Sequence, residues 1–321
     1  VRALVTGITG QDGGYLAERL ASDGYDVHGL VHDGDPNVED LRSRCPTVTL
    51  HTGDLQDGPS LAVAVGAADP DEIYNLAGIS SVAFSWQQPV LTADITALGA
   101  ARLLDEARLL QERRGREVRF VQASSAEIFG NVGGIQDEST PLAPTSPYGA
   151  AKAYAHQLCG LYRSVGVFAS SMVLFNHESP RRPPTFVTRK ITQTVALIAQ
   201  GQASELVLGN LEARRDWGWA PDYVDAMVLA ARAPQAADFV VATGEAHSVR
   251  EFALAAFARV GIADGERRIR VDPSLVRPGD PPVLVGDAAR ARSVLGWAPT
   301  VSFEELVGRM VDADLPIEHR H

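Results

Sequence analysis

The stretch RALVTGITGQDGGYLAERL, residues 2–20, constrains the fold of this chain more than any other. An apolar run over 2–7 reads as a strand. It breaks into a turn with Gly7, Gly10 and Gly13 in G-x-x-G-x-x-G spacing, and a helical pattern follows over 13–24. Glycines here allow a tight turn and close backbone approach, and the N–H groups of a helix N-terminus face whatever anion the turn admits. A glycine triplet alone only makes turns. A strand before it and a helix after it supply the context of a dinucleotide pyrophosphate site. Gly7, Thr9, Gly10, Gln11, Asp12 and Gly13 are therefore the expected cofactor contacts of this loop.

Strand-like and helix-like segments then alternate. Strands are expected at 26–31, 48–54, 72–78, 119–125 and 168–176, with helices at 58–68, 89–114 and 146–165. Such alternation implies a parallel sheet covered on both faces. The expected fold is α/β, a Rossmann-type doubly wound parallel sheet with a smaller α/β C-terminal lobe for the substrate. Residues 1–175 form the nucleotide domain, joined by a returning segment near 216–243, and 176–215 with 244–321 form the lobe. In the lobe, helices are expected at 187–201, 221–233, 248–261 and 302–313, with strands at 205–209 and 238–243.

The net charge of −11 argues against a nucleic-acid footprint, which needs a basic stripe. Cys45 and Cys159 suggest neither a disulfide frame nor a zinc site, and no metal site is expected. No apolar run reaches the roughly 20 residues that span a bilayer. With no signal peptide read at the N-terminus, the expected location is cytoplasmic.

The residues after the second strand bear on which dinucleotide binds. An acid there hydrogen-bonds the adenosine ribose of NAD, whereas an arginine accommodates the 2′-phosphate of NADP. The chain reads His32-Asp33-Gly34-Asp35, with no arginine before Arg42. The acidic turn favours NAD, with NADP the alternative, and His32 and Asp33 are the residues concerned. Asp54 and Leu55 should meet the adenine, Leu76, Ala77 and Gly78 the cofactor's other edge, and Leu174, at the sixth strand end, is a further expected cofactor contact.

SPYGAAKAYAH places Tyr148 and Lys152 on one helical face. A phenol with a pKa near ~10 is a poor base at neutral pH. An ammonium nearby, together with a positive nicotinamide ring, would favour the phenolate. Ser124 or Ser125, at the preceding strand end, supplies a hydroxyl beside it. Both Tyr148 and Lys152 are also expected against the cofactor.

These segments resemble the extended short-chain dehydrogenase/reductase superfamily and, more narrowly, the GDP-mannose 4,6-dehydratase family. The likeness runs through ALVTGITGQDGGYLAERL, PDEIYNLAG, VQASSAEIFG, DESTPLAPTSPYGAAKAYAH, LFNHESPRR, TFVTRKIT and RRDWGWAPDYVDAM. It implies the catalytic set Thr-x-Glu plus Tyr and Lys, falling on Ser125, Glu127, Tyr148 and Lys152, with serine in place of threonine. It implies nucleotide-sugar contacts at Asn176, Val187, Lys190, Arg215 and Arg277, and a hexose contact at Ser85. Arginine and lysine donors are what a diphosphate needs. A homodimer through a four-helix bundle of 89–114 and 146–165 is likewise implied, although packing on the sheet explains the same amphipathicity. Three departures stand out. The acidic turn at 32–35 replaces Arg-Arg-Ser, which bears on both NADP use and a tetramer. Gly78 and Ile79 change the pocket wall, and Pro183-Pro184 the loop over the sugar.

The implied reaction converts GDP-mannose to GDP-4-keto-6-deoxymannose by C4 oxidation, loss of water across C5 and C6, and hydride return to C6. Glu127 would be base at C5 and then acid at the leaving hydroxyl, a dual role that needs a carboxyl pKa lifted by partial burial. The alternative is an NAD-dependent 4-epimerase or C4 oxidase of a nucleotide-linked hexose or heptose, which has no use for Glu127. A non-catalytic nucleotide-sugar sensor is disfavoured because the whole catalytic set is present.

Overall fold

Strand β1 (Arg2–Thr6) sits inside the main sheet, and the turn that follows it lies where the strand order changes direction. The computed structural model describes residues 1–276 and 279–316. From β1 the chain runs through α1 (Gln11–Ser22), β2 (Asp26–Val31), α2 (Val38–Arg44), β3 (Thr49–Thr52), α3 (Gly58–Ala68) and β4 (Glu72–Asn75). Two short helices follow, α4 (Val82–Gln87) and α5 (Pro89–Thr92), then a π-helical turn over Ala93–Leu98 that leads into α6 (Gly99–Arg114). The half closes with β5 (Arg119–Ala123), α7 (Pro147–Ser164) and β6 (Phe168–Leu174).

The second half alternates between the sheet and a lobe of its own. Its elements are β7 (Asn176–Glu178), α8 (Val187–Ala199), β8 (Leu206–Leu208), β9 (Arg214–Arg215), β10 (Trp217–Trp219), α9 (Ala220–Arg232) and β11 (Asp238–Val241). Then come β12 (His247–Ser248), α10 (Val249–Arg259), β13 (Ile269–Val271), β14 (Val283–Leu284) and α11 (Phe303–Asp314).

The seven-stranded sheet has the order β11-β6-β5-β4-β1-β2-β3, and every pairing in it is parallel. This is the doubly wound α/β class read from the alternation. One face is covered by α1 and α9, whose Leu16, Leu20, Val224 and Met227 share a core with Val5 and Val121. The other is covered by α3 and α6, with Leu61, Val65, Leu103 and Leu110 packed on Leu4, Ile73 and Phe120. Strands buried on both sides read as near-continuous apolar runs, which is why β1 and β6 are legible as strands. The lobe has its own core of α8, α10 and α11, built from Ile191, Val195, Phe252, Phe257, Leu306 and Met310. The cleft opens where the sheet's C-terminal edge faces this lobe.

Candidate functional site

Strand order reverses between β1 and β4, and the crevice outside their carboxyl ends is where open α/β sheets place ligands. Side chains reinforce the backbone ladder there. Thr6 Oγ1 donates to Asn75 Oδ1 at 2.7 Å, Asn75 Nδ2 donates to Gln122 Oε1 at 2.8 Å, and the Ala77 N–H reaches Thr6 Oγ1 at 3.2 Å. Gly7 adopts φ 66°, and a Cβ there would lie 2.8 Å from the Ala77 nitrogen. A Cβ on Gly13 would lie 2.2 Å from the Gly7 carbonyl oxygen. Any larger residue would block this turn, and the first-turn N–H groups of α1 converge on it. The cradle fits the pyrophosphate of a dinucleotide.

The loop's polar residues divide in their duties. Gln11 is buried and committed to the 177–179 segment, with Nε2 donating to the His177 carbonyl at 3.2 Å and Oε1 accepting from Ser179 at 2.8 Å. Asp12 faces the cavity but pairs with His177, Oδ2 to Nε2, at 2.9 Å. The other His177 ring nitrogen, Nδ1, bonds the Phe175 carbonyl at 2.7 Å. Burial alone would lower His177, yet the charge and hydrogen bond of Asp12 outweigh it and raise its pKa. Burial likewise opposes the charged form of Asp12, and His177 overcomes it to hold the carboxyl below its ordinary value. The two form a buried ion pair at the floor of the cleft.

The adenosine side is more open. His32 and Asp33 are exposed, and His32 Nδ1 lies 3.0 Å from the Asp33 carbonyl oxygen. Asp54 caps its own turn by accepting from the Gln56 N–H at 2.9 Å, and Leu55 is buried against Gly99. Leu76 and Leu174 line the cavity, while Ala77 and Gly78 form the turn behind it.

The catalytic candidates stand at the end of β5. Ser125, extended at φ −151°, ends the strand path and caps a single 3₁₀ turn over Ala126–Ile128, its hydroxyl accepting the Glu127 N–H at 3.3 Å. That turn keeps Glu127 out of the sheet and at the cavity wall, half-buried. Helix α7 packs directly on it: a Cβ at Gly149 would meet the Glu127 carbonyl oxygen at 2.5 Å. Ser146 caps α7 by accepting the Gly149 N–H at 3.0 Å, which fixes its first turn and Tyr148 with it. Ser125, Glu127, Tyr148 and Lys152 thus line one cavity of about 450 Å³.

Burial pushes the Tyr148 phenol up to about 12, while its hydrogen bond with Ser125 pulls the other way. Burial drives Lys152 down to about 8. The expected lowering of Tyr148 by an adjacent ammonium is therefore not realised by this side-chain set alone. Lys152 Nζ lies 5.9 Å from the phenol ring centroid and donates instead to the Ala123 carbonyl at 2.8 Å. The Ser124 hydroxyl, 3% exposed, has no hydrogen-bond partner among the described residues and lines the same cavity. An orphaned buried hydroxyl is costly unless a ligand meets it.

On the far side Asn176, Val187, Lys190 and Arg215 line the cavity. Arg215 is buried and pairs with Asp280 at 2.8 Å. Ser85 is not brought there. It is fully buried, its hydroxyl donates to the Val82 carbonyl at 2.7 Å, and Ser80 and Ser81 form the wall instead, because Ser81 caps α4 and turns its start toward the cleft. Arg277 lies outside the described residues. Residues the sequence reading passed over also line the cavity, notably Glu178, Arg182, Phe186 and Asn210. Arg182 pairs with Glu178 at 3.1 Å and lies 3.8 Å over the Phe186 ring, tying down the Pro183-Pro184 loop. Only the basic-proline run at 176–186 signalled the first three. Among the described residues no group of three or more His, Cys, Asp and Glu side chains could hold a metal.

A parallel doubly wound sheet, a glycine cradle and a Ser–Tyr–Lys set facing a substrate lobe define the extended short-chain dehydrogenase/reductase architecture. A solved UDP-glucose 4-epimerase of Thermus thermophilus in complex with NAD superposes with TM-score 0.84 at 29% identity, covering 98% of this chain and 99% of that one. RMD of Pseudomonas aeruginosa, complexed with NADPH, shares the fold at TM-score 0.79 over 98% of this chain and 99% of its own, at 24% identity. A sequence profile described as GDP-mannose 4,6 dehydratase matches residues 4–310. GDP-mannose 4,6 dehydratase 1 of Arabidopsis thaliana is 45% identical over 99% of this chain and 91% of its own. GDP-mannose 4,6 dehydratase of Homo sapiens is 42% identical over 98% of this chain and 91% of its own. The chain belongs to the GDP-mannose 4,6-dehydratase family.

Proposed function

We propose that this protein is a hydro-lyase that converts GDP-mannose to GDP-4-keto-6-deoxymannose. The observation that carries the reading is Glu127, presented at the cavity by the Ser125-capped turn beside Tyr148 and Lys152. A nicotinamide dinucleotide on the glycine cradle, NAD by preference, supplies the hydride acceptor and donor. Around it, Tyr148 takes the proton of the C4 hydroxyl, steadied by its hydrogen bond with Ser125. Burial holds the Tyr148 phenol high, so its deprotonation would draw on electrostatic stabilisation in a water-poor site, of the kind a bound nicotinamide ring would supply. Once C4 is a ketone the C5 proton is acidic, and Glu127 removes it and passes it to the departing C6 hydroxyl. Asn176, Val187, Lys190, Arg215 and Arg277 contact the nucleotide-sugar, the lysine and the arginines supplying donors to its diphosphate.

Catalysis by Ser125, Tyr148 and Lys152 alone would serve an epimerase equally well, so the test turns on Glu127. Wild-type protein incubated with GDP-mannose yields a product lighter by one water. Glu127→Gln is expected to reduce water loss by at least ~10²-fold, the usual scale for a positioned acid–base group, while sparing part of C4 oxidation. A product of unchanged mass from wild type would replace the dehydratase reading with the epimerase.

The protein is placed in the cytoplasm as a homodimer. Cys45 and Cys159, free and buried, support a reducing compartment. Among the described residues, no helix is long and apolar enough to cross a membrane.

A further inference from the structure

We infer that Asp216 is the positioning residue that holds Arg215 against the substrate's diphosphate, by clamping the lobe to the end of the main sheet; the inference rests on the nucleotide-sugar reading above. Arg215 ends β9 and lines the cavity, and Trp217 opens β10. Asp216 is thus the one residue at which the chain passes from the lobe's three-stranded sheet to the strand beside β7. It is fully buried. A carboxylate in such a place is costly unless donors meet both of its oxygens.

Four donors meet them. Oδ1 accepts the Thr243 N–H at 2.8 Å and the Thr243 hydroxyl hydrogen at 2.7 Å. Oδ2 accepts the Gly244 N–H at 2.8 Å and the Gly286 N–H at 3.4 Å. Thr243 and Gly244 lie just after β11, an edge strand of the main sheet, whereas Gly286 follows β14 of the lobe. A Cβ on Gly286 would lie 2.6 Å from the Ala242 Cβ and 2.6 Å from the Phe175 ring, so the end of β14 presses on the ends of β11 and β6.

The same strand grips Arg215. The Asp216 N–H donates to the Leu284 carbonyl at 3.0 Å and the Arg214 N–H to the Pro282 carbonyl at 2.8 Å, which ties β9 to β14. Ahead of β14, Asp280 Oδ1 and the Pro281 carbonyl each accept from the Arg215 guanidinium at 2.8 Å. The 280–286 segment therefore holds the guanidinium at its leading end, and Asp216 fixes its trailing end to the main sheet. Loosening that anchor lets the guanidinium drift from the diphosphate.

Asp216→Asn separates geometry from charge. Removing a negative charge beside an anion site would by itself tighten nucleotide binding. The new amide also points N–H groups at backbone N–H donors, which opens half of the clamp. The second effect is expected to dominate. Dissociation constants of GDP and NAD are measured separately by calorimetry for the full chain, Asp216→Asn, Arg215→Ala and the double variant. Asp216→Asn should weaken GDP by about tenfold, the scale of one charge-assisted hydrogen bond, and NAD by less than ~3-fold. In turnover, KM for GDP-mannose should rise while kcat is largely kept. Because Asp216 acts through Arg215, the double variant should bind GDP within ~2-fold of Arg215→Ala alone. Thr243→Val, which removes one donor and keeps the carboxylate, should weaken GDP in the same direction, and Thr243→Ser should restore it. That pair carries the test if Asp216→Asn does not fold. Unchanged or tighter GDP binding, an equal loss of NAD, additive effects in the double variant, or no effect of Arg215→Ala overturns the assignment. Wild type that prefers UDP to GDP would overturn the GDP reading instead, and the same comparison on UDP then decides the role of Asp216.

Discussion

Lys152 shows how far burial outranks charge pairing in this cleft. Its ammonium is enclosed, its hydrogen bond goes to a neutral carbonyl, and its pKa falls from 10.5 to about 8. A depressed lysine pKa means the unfolded chain binds more protons than the folded one between those two values. Stability linked to this residue therefore rises with pH from about 8 toward 10.5 and is lowest, and flat, below 8. Tyr148 runs the opposite way at higher pH. Its phenol is raised from 10.0 to about 12, so the unfolded chain loses that proton first and stability falls across 10 to 12. Urea unfolding of wild type and Lys152→Met between pH 7 and 10 checks the first of these. The stability of wild type relative to the variant should climb above pH 8, and a flat difference would show that Lys152 is not desolvated.

Helix α7 and the turn at Ala126–Ile128 make the catalytic geometry by contact of backbone with backbone. Gly149 is the point of contact, and its Cβ position is 2.5 Å from the Glu127 carbonyl oxygen. Gly149→Ala has two opposed effects. Alanine favours the helix by about 1 kcal/mol, but the clash must push α7 or the 3₁₀ turn aside. Misplacement of about 1 Å costs on the order of 10²-fold in rate. The expected outcome is a kcat loss of that order with a thermal midpoint within a few degrees of wild type. An active Gly149→Ala enzyme would show that the close approach is not what positions Tyr148 and Glu127. This contact also marks where sequence reading stops. The glycine loop was legible because strand, glycines and helix follow in register, and the four catalytic candidates, which line one cavity, because they sit on one strand end and one helix face. Strand limits were overdrawn at the functional edge. β4 ends at Asn75, the last residue paired with both β1 and β5, and β5 ends at Ala123, where the chain turns into the Ser125-capped 3₁₀ turn. The helix expected over 89–114 is one continuous run of α5, the π turn and α6, but the short helix α4 before it, with Ser81 as cap, went unread, and it carries Ser85 inward and Ser80 and Ser81 to the wall. Helix α2 went unread because only Leu41 of its seven residues is buried, so no apolar period marks it. Arg182 with Glu178, and Asp35 with Thr9, are contacts that only the folded chain brings together.

At the scale of the molecule, one flank of the cavity is built on helices that carry exposed apolar side chains. Val90 on α5 is 80% exposed, Trp86 on α4 is 50%, and Leu161 and Val165, at the end of α7, are 62% and 69%. With Leu98 and Tyr154 they lie on elements that pack together, α4, α5, the π turn and α7. Contiguous apolar surface beyond a few hundred Å² is rare on a monomer, and a stable pair needs about 1,200–2,000 Å² in total. We therefore assign the proposed homodimer to this face. Light scattering after gel filtration should give twice the chain mass for wild type and the single mass for Val90→Arg combined with Leu161→Arg. Mass action adds a second readout. The thermal midpoint of a dimer climbs with protein concentration, and that of a monomer does not. Because α7 carries Tyr148 on its inner side and Leu161 on its outer side, the separated chain should also lose part of its turnover through a looser α7. A wild-type midpoint that is independent of concentration, with the single chain mass, would assign the apolar face to another occupant.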